Sequence, residues 1–224
     1  MWSGKIEDYI LYEDKNIIVC HKPAGLAVQN ARIGSADMES ALKNYLYKKE
    51  PGTMPYLGIV HRLDQPVEGI IVFARTPFAA KELSRQISGG QMEKIYLAVT
   101  KEKPDKEEGV LEDYLKKDGR TNTSAVVAEG TPGAKKARLS YQVIHEETER
   151  FLIKIKLDTG RHHQIRVQMA HTGMPLTGDR KDGGTTDTAL GLCACSLTFL
   201  YPGSRKKMHF TVKPKGEAFK NFSL

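Results

Sequence analysis

Apolar residues along the chain occur mostly in short runs bounded by turn-forming residues, a pattern typical of β-strands. Strands outnumber helices, and several neighbouring strands have the spacing of hairpins. This pattern predicts an α+β fold with a mixed, mainly antiparallel sheet and flanking helices, in a single domain spanning residues 1–224. The predicted strands are Ile6–Tyr12, Ile17–Lys22, Tyr56–Val60, Ile70–Ala74, Met92–Thr100, Arg138–His145, Phe151–Leu157, Leu190–Tyr201 and Met208–Val212.

Three segments have helical features: Ser35–Lys49, Phe78–Ile87 and His162–His171. The second follows Thr76-Pro77, a residue suited to an N-cap followed by proline in the first turn. The segment 101–136 is rich in charged residues, glycine, threonine and proline. It is interpreted as exposed connections with one short strand or helix near Val110–Leu115, and the polar stretch Thr177–Thr188 is interpreted as a loop.

The chain has 224 residues, with 34 Lys and Arg against 27 Asp and Glu, which gives a formal charge of +7. This excess suits a polyanionic partner, although charge alone does not identify one. No apolar run approaches the ~20 residues of a membrane span. The three cysteines form no disulfide framework, so a reducing, cytoplasmic compartment is expected.

The nine residues His61–Gly69 lie between two of the predicted buried strands and contain the pattern His-Arg-Leu-Asp at 61–64. Burying the Asp64 carboxylate without a partner would be costly, so an arginine is expected close to it. These residues alone also fit a surface loop in which Asp64 pairs with Arg62.

Two further segments carry candidate functional side chains. On the strand around Lys94–Val99, alternation places Lys94 and Tyr96 on one face and the aliphatic residues on the other. The segment Gly160–Arg166 gathers cations and amide donors at a predicted helix start, where backbone N–H groups favour an anion such as phosphate. Arg166 borders the apolar stripe of that helix and is the candidate partner of Asp64.

In combination, these segments resemble the RluA-type RNA pseudouridine synthases. The matching motifs follow the family's order over nearly the whole chain, as a catalytic domain without the S4-type RNA-binding domain that is common in the family. They are Ile10–Asp14, His21–Leu26, His61–Asp64, Lys94–Ala98, Thr159–Val167 and Gly173–Asp179.

The resemblance implies that the chain is an enzyme that isomerises uridine to pseudouridine in ribosomal or transfer RNA, without cofactor or metal. Asp64 would be the essential carboxylate, Arg166 its buried partner and Tyr96 the ring against the target base. Asp64 could attack the ribose as a nucleophile or remove a 2′ proton to give a glycal, and both routes stay open. RNA is the expected partner, no association with a membrane is expected, and the protein is expected to be a monomer. RNA contacts are expected from Arg62, His61, Lys22, Lys94, Arg161, His163 and Gln164.

The motif departs from the family at one point, because Val67-Glu68-Gly69 replaces the usual Thr-Ser-Gly. Glu68 is expected to turn outward or to meet a cation, since a second ionised acid beside Asp64 would be unfavourable. Two alternatives remain. One is an RNA-binding or RNA-folding protein that has lost the chemistry, and the other is a metal-dependent nuclease using His162, His163 and Asp179.

Overall fold

The computed structural model describes residues 4–30, 34–184 and 188–223. These residues form eleven strands, three α-helices and two short 3-10 helices. The strands are β1 (Ile10–Glu13), β2 (Ile17–Lys22), β3 (Gly58–Ile59), β4 (Glu68–Ala74), β5 (Glu93–Thr100), β6 (Glu108–Asp118), β7 (Thr123–Val127), β8 (Lys135–Glu147), β9 (Arg150–Leu157), β10 (Leu192–Leu200) and β11 (Lys207–Thr211). The α-helices are α1 (Met38–Lys49), α2 (Pro77–Ser88) and α3 (Gln164–His171), and the 3-10 helices are Ile6–Tyr9 and Glu217–Phe219.

The chain divides into two compact units, and the first comprises the described residues of Met1–Met92 and Ala194–Val212. Its strands lie in the order β1-β2-β4-β10, with β3 beside β4 and β11 beside β10. All side chains of β2 and β4 are buried, and α2 packs on β4. Polar residues at the ends of these central strands, Lys22 and Glu68, are therefore buried with them.

The helix starts in this unit are set by side-chain caps. The predicted start of the first helix at Ser35 is wrong by three residues, because α1 begins at Met38, where the Asp37 carboxylate accepts from the Ser40 amide at 2.7 Å. For α2, the Thr76 hydroxyl accepts from the Ala79 amide at 3.1 Å, which confirms the predicted cap.

The second unit comprises the described residues of Glu93–Cys193 and Lys213–Leu224. Its sheet has the strand order β5-β9-β8-β6-β7, and each neighbouring pair is antiparallel. Helix α3 contacts β6 and β7, and its Val167 packs with Leu115 of β6 and Ala137 of β8. The Thr177 amide donates to the Val99 carbonyl at 2.8 Å, which ties the segment after α3 to β5.

Two predictions about elements are wrong for physical reasons. The segment 101–136 contains the long strand β6 and also β7, which the sequence hides because β6 exposes one face and carries charged residues there. The predicted first strand begins instead as the 3-10 helix Ile6–Tyr9. The prediction of an α+β fold with a mainly antiparallel sheet is confirmed, whereas the single domain stays a prediction. None of the described helices is long and apolar enough to cross a membrane.

Gly69 occupies a position that no other residue fits. Its φ is +133°, and an added Cβ would lie 2.5 Å from the backbone N and O atoms of Ala194. We expect Gly69→Ala to lower the free energy of unfolding by about 3 kcal/mol, through overpacking and an unfavourable backbone angle. Urea unfolding at equilibrium measures this loss.

Gly90→Ala is the matched control, because Gly90 also has a positive φ, +66°, but has no atom within 4 Å of an added Cβ. Its expected cost is about 1 kcal/mol, from the backbone angle alone. Equal losses in the two variants would show that the close approach to Ala194 does not constrain this strand.

Candidate active site

Asp64 lies in the loop that joins β3 to β4, and its side chain is half-buried. Two apolar neighbours in this loop, Leu63 and Val67, are buried and anchor it. The Val67 amide donates to the Asp64 carbonyl at 3.0 Å, which closes a turn. The carboxyl group is therefore presented from a loop whose backbone is fixed on both sides.

The fully buried side chain of Lys22 holds this loop against the turn that follows β2. Its ammonium donates to the carbonyl oxygens of Leu26, Pro23 and Gln65, at 2.6, 2.9 and 3.1 Å. An ammonium has three N–H donors, so all of them have acceptors. Gln65 follows Asp64 directly, and one cation thus joins the two segments.

Gly25 and Gln65 add two hydrogen bonds to the same junction. The Gly25 amide donates to the Gln65 carbonyl at 2.8 Å, and the Gln65 side-chain amide donates to the Gly25 carbonyl at 3.0 Å. The sequence analysis missed this role of Gln65, because a glutamine in a polar loop is usually solvated.

Burial lowers the pKa of Lys22 to about 7, and the nearby carboxylates of Asp64 and Glu68 partly offset this effect. The predicted RNA contact of Lys22 is contradicted, because the side chain is inaccessible and its donors are already used. Lys22 instead positions the Asp64 loop.

Glu68 opens β4 and is only 5% exposed, so the expectation that it turns outward is wrong. Its Oε2 lies 3.6 Å from the Nε2 atom of His21, which is also buried. It also acts electrostatically on Lys22. Of the two forms of the expectation, the orientation toward solvent is excluded by this burial, and the electrostatic effect on Lys22 favours the approach to a cation.

His61 and Arg62 are oriented differently. The His61 Nε2 accepts from the Val72 amide at 3.1 Å, so this nitrogen carries no proton and the ring is fixed on β4. Arg62 is exposed and donates to the side-chain oxygen of Gln29, whose amide donates in turn to Glu39 of α1 at 2.7 Å. Only Arg62 of these two extends into solvent.

In the second unit, Arg166 forms a buried ion pair with Asp179. Its Nε and Nη2 atoms donate to the two carboxylate oxygens at 2.7 and 2.5 Å, and the two residues are 4% and 1% exposed. The Asp182 carboxylate lies 3.3 Å from the same Nη2. This bidentate geometry fixes the plane of the guanidinium.

The segment around Asp179 is compact. One carboxylate oxygen of Asp179 also accepts from the amides of Lys181 and Asp182, at 3.1 and 3.2 Å, and the Gly184 amide donates to the Asp179 carbonyl at 2.7 Å. Residues 185–187 of the predicted loop Thr177–Thr188 lie outside the described residues. The candidate nuclease set is disfavoured, since Asp179 is already neutralised by Arg166.

Tyr96 and Lys94 lie two residues apart on β5. Tyr96 is 7% exposed and Lys94 is half-buried. Burial lowers the pKa of Lys94, and among the described residues it has no hydrogen-bond or ion-pair partner. A desolvated cation in this state favours an anionic ligand.

The start of α3 is built by its own side chains. Gln164 is buried, and its oxygen accepts from the Thr159 hydroxyl at 2.8 Å and the Arg161 amide at 2.9 Å, while its nitrogen donates to the Arg138 carbonyl at 3.1 Å. His163 is buried, adopts a positive φ of 52° and stacks on His162 with ring centres 3.8 Å apart. Both side chains are therefore directed into the protein in this structure, and their predicted RNA contacts stay predictions. Arg161 is exposed, although its Nε donates to the Lys136 carbonyl at 2.9 Å.

The predicted site residues are divided between the two units. Lys22, His61, Arg62 and Asp64 belong to the first, and Lys94, Tyr96 and the Arg161–Arg166 segment belong to the second. The Asp64–Arg166 pair joins residues of different units and stays a prediction. Asp179 was weighed as a metal ligand in the sequence analysis, and its role as the anchor of Arg166 was missed because the two are separated by a helix end and a turn.

Comparison with known proteins shows the family. The family model for RNA pseudouridylate synthases matches residues 16–171, which include the Asp64 loop, Tyr96 and Arg166. The chain therefore belongs to the RNA pseudouridylate synthase family.

Among its relatives is a ribosomal large subunit pseudouridine synthase D of Xylella fastidiosa, 33% identical over 91% of this chain and 60% of that protein. The enzyme of the same name in Nitrosomonas europaea is 37% identical over 79% of this chain and 50% of that protein, so the chain spans about half of it. An uncharacterized RNA pseudouridine synthase of Zymomonas mobilis is 33% identical over 80% of both chains. The solved structure of human RNA pseudouridylate synthase domain containing 4 shares the fold, with a TM-score of 0.77 at 23% identity over 94% of this chain and 90% of that chain.

Lys22 should leave a signature in the pH dependence of stability. Above about pH 7 the folded Lys22 loses its proton, while in the unfolded chain it stays protonated to about pH 10. The unfolded state then binds more protons, so this group makes stability rise with pH in that window and contributes no slope below it. We expect the slope of the free energy of unfolding between about pH 7 and 9 to fall in Lys22→Met, by up to about 1.4 kcal/mol per pH unit.

Lys15→Met removes an exposed lysine of the same unit and is expected to leave that slope unchanged. Parallel pH profiles for the wild type and Lys22→Met would contradict the assignment of a depressed pKa to Lys22.

The buried ion pair should dominate the local stability of the second unit. Asp179→Asn keeps the size of the side chain but leaves the Arg166 cation without its bidentate partner, so we expect a loss of about 3–5 kcal/mol in the free energy of unfolding. Asp158→Asn is the control, because it removes the partner of the exposed Arg138 and should cost less than about 1 kcal/mol. Denaturant unfolding of both variants measures the difference, and similar losses would show that Asp182 alone suffices to neutralise Arg166.

Proposed function

We propose that this protein isomerises uridine to pseudouridine in structured RNA, with Asp64 as the essential carboxylate. The observation that carries the proposal is the family match over residues 16–171, which contain the motif around Asp64. The fixed backbone of the Asp64 loop supports it, because a catalytic group must be held in place by its surroundings.

The reaction requires a group of this kind. The bond between N1 of uracil and C1′ of ribose breaks, the base turns, and C5 bonds to C1′. C5 then loses its proton and N1 gains one, so that the product is an isomer of the substrate. Asp64 either attacks C1′ as a nucleophile or removes the 2′ proton to form a glycal, and both steps need its ionised form. We assign to Arg166 the role of stabilising that ionised form and to Tyr96 the role of packing against the base.

The RNA would be held by cations other than Lys22 and Arg166, whose donors are used inside the protein. Arg62 and Arg161 are exposed, and Lys94 is desolvated with no partner among the described residues. Phosphate contacts from such residues fix the position of the RNA, whereas the base is recognised by stacking and by hydrogen bonds to its edges. The fixed ring of His61 would then pack beside the nucleotide instead of binding phosphate.

Ribosomal RNA is the substrate class that we propose, because two relatives are named as ribosomal large subunit pseudouridine synthases. With this substrate, we propose that the protein acts in the cytoplasm. Transfer RNA is the second substrate to assay, and the monomeric state stays a prediction.

Asp64→Asn tests the proposal. Incubation with ribosomal and transfer RNA transcripts, followed by mass spectrometry of nucleosides, should detect pseudouridine with the wild type and at least about a thousandfold less with the variant. RNA affinity and the free energy of unfolding should stay near the wild-type values, because the amide keeps the shape of the side chain. Asp105→Asn, which changes an exposed carboxylate elsewhere, should retain full activity.

A wild-type protein that binds these RNAs without forming pseudouridine would instead support the RNA-binding alternative. Normal turnover by Asp64→Asn would contradict the role given to Asp64.

A further inference from the structure

The second unit contains a basic cleft of about 730 Å³ that none of the family motifs includes. Three of its lining residues are cations, one is a carboxylate and two offer uncharged donors. They are Arg150, Arg180, Lys220, Glu217, Asn221 and Thr188. We call this feature the Arg150 cleft.

The two arginines of the cleft have no hydrogen-bond or ion-pair partner among the described residues. Glu146 and Glu147, which precede Arg150 along the chain, lie beside other side chains, at 3.3 Å from Lys103 and 3.2 Å from His145. Lys220 is the only one of the three cleft cations with a described acidic partner, Glu217, at 2.6 Å. The cleft therefore keeps a positive charge that the described part of the chain does not balance.

The walls of the cleft are anchored by buried groups. Phe219 and Phe222 are 2% and 5% exposed, and the Phe222 ring packs edge-on against His145 of β8, with ring centres 5.8 Å apart. Arg150 begins β9, next to the tight turn that follows β8. The two walls are thus held together before any ligand binds, which lowers the entropy cost of binding.

The opposite side of the cleft is connected to the candidate active site through the chain itself. Arg180 directly follows Asp179, whose side chain holds Arg166 and whose backbone is fixed by the Gly184 amide. An anion bound at Arg180 would consequently contact the residue next to Asp179, which holds Arg166 in place.

We propose that the Arg150 cleft binds a backbone phosphate of the substrate RNA, outside the nucleotide that is modified. The inference rests on the proposed function for the identity of the RNA. Guanidinium groups match phosphate oxygens in bidentate geometry, and arginines that lack acidic partners need not break an ion pair to bind them. The Thr188 hydroxyl and the Asn221 amide supply further donors of the kind found around RNA phosphates.

Substitutions of opposite sign in one cleft test this inference. Arg150→Gln removes a cation, and Glu217→Gln removes the single carboxylate and releases Lys220. Binding of a labelled RNA stem-loop is measured between about 50 and 200 mM salt. We expect Arg150→Gln to weaken binding about threefold to tenfold and to flatten the salt slope by somewhat less than one counterion, and Glu217→Gln to strengthen binding and steepen the slope.

Lys81→Gln, an exposed lysine of α2 in the other unit, is the matched control for loss of one positive charge. If Arg150→Gln changes the RNA affinity and the salt slope no more than this control does, the inference is overturned. That result is also the one expected if the cleft binds an acidic protein and not RNA. RNA binding and pseudouridine formation are measured in separate experiments. An unchanged salt slope in Arg150→Gln would contradict the role of the cleft, whereas absence of pseudouridine in the wild-type reaction would contradict the proposed function.

Discussion

The ammonium of Lys22, enclosed by three carbonyl oxygens, is the interaction on which the Asp64 loop depends. A buried charge is costly unless it is hydrogen-bonded and balanced, and here the carbonyls supply the first condition and two nearby carboxylates the second. The position follows from the sheet, since β2 and β4 are buried on both faces and Lys22 is paired in register with Gly69. A side chain at Gly69 would collide with Ala194 and displace the start of β4. The loop that carries Asp64 is consequently fixed by buried groups on the protein side.

Arg166 is likewise a buried cation that is held in place by hydrogen bonds to its partners. A guanidinium that is to act on a carboxylate in a reaction must keep one orientation, and Asp179 fixes that orientation through two parallel hydrogen bonds. Asp179 is itself held by the amides of the segment that follows it. Removing one partner of such a pair leaves the other charge buried and unpaired. The loss of stability on removing one partner is therefore larger than the net contribution of the intact pair. Each unit therefore contains one buried cation whose partners organise a loop with candidate functional residues.

Sequence patterns predict the parts of the molecule that follow local rules. The central strands were found because both faces are apolar, and α2 was found because Thr76 and Pro77 form a standard start. Strand β6 was missed, because a strand with one charged and exposed face resembles a loop in composition. Motifs identified Asp64, Tyr96 and Arg166 as candidates, but a motif does not state whether a polar residue faces the ligand or the protein. Lys22 and Gln164 are expected at the RNA for that reason, whereas in the structure their polar atoms form hydrogen bonds inside the protein.

Glu68 shows how a residue that departs from the family's motif can be accommodated in the interior of the protein. Replacing a hydroxyl by a carboxylate near Asp64 would disturb the site if both acids shared one environment, because like charges raise the pKa of one of them. Glu68 is buried beside His21, and it acts, as Asp64 does, on Lys22, the cation that fixes the loop from the protein side. Its negative charge favours the protonated state of a lysine whose pKa burial has lowered to about 7, so it supports the three hydrogen bonds that hold the loop. The Glu68 carboxylate is thus accommodated inside the protein, where it favours the charged state of the lysine that holds the Asp64 loop.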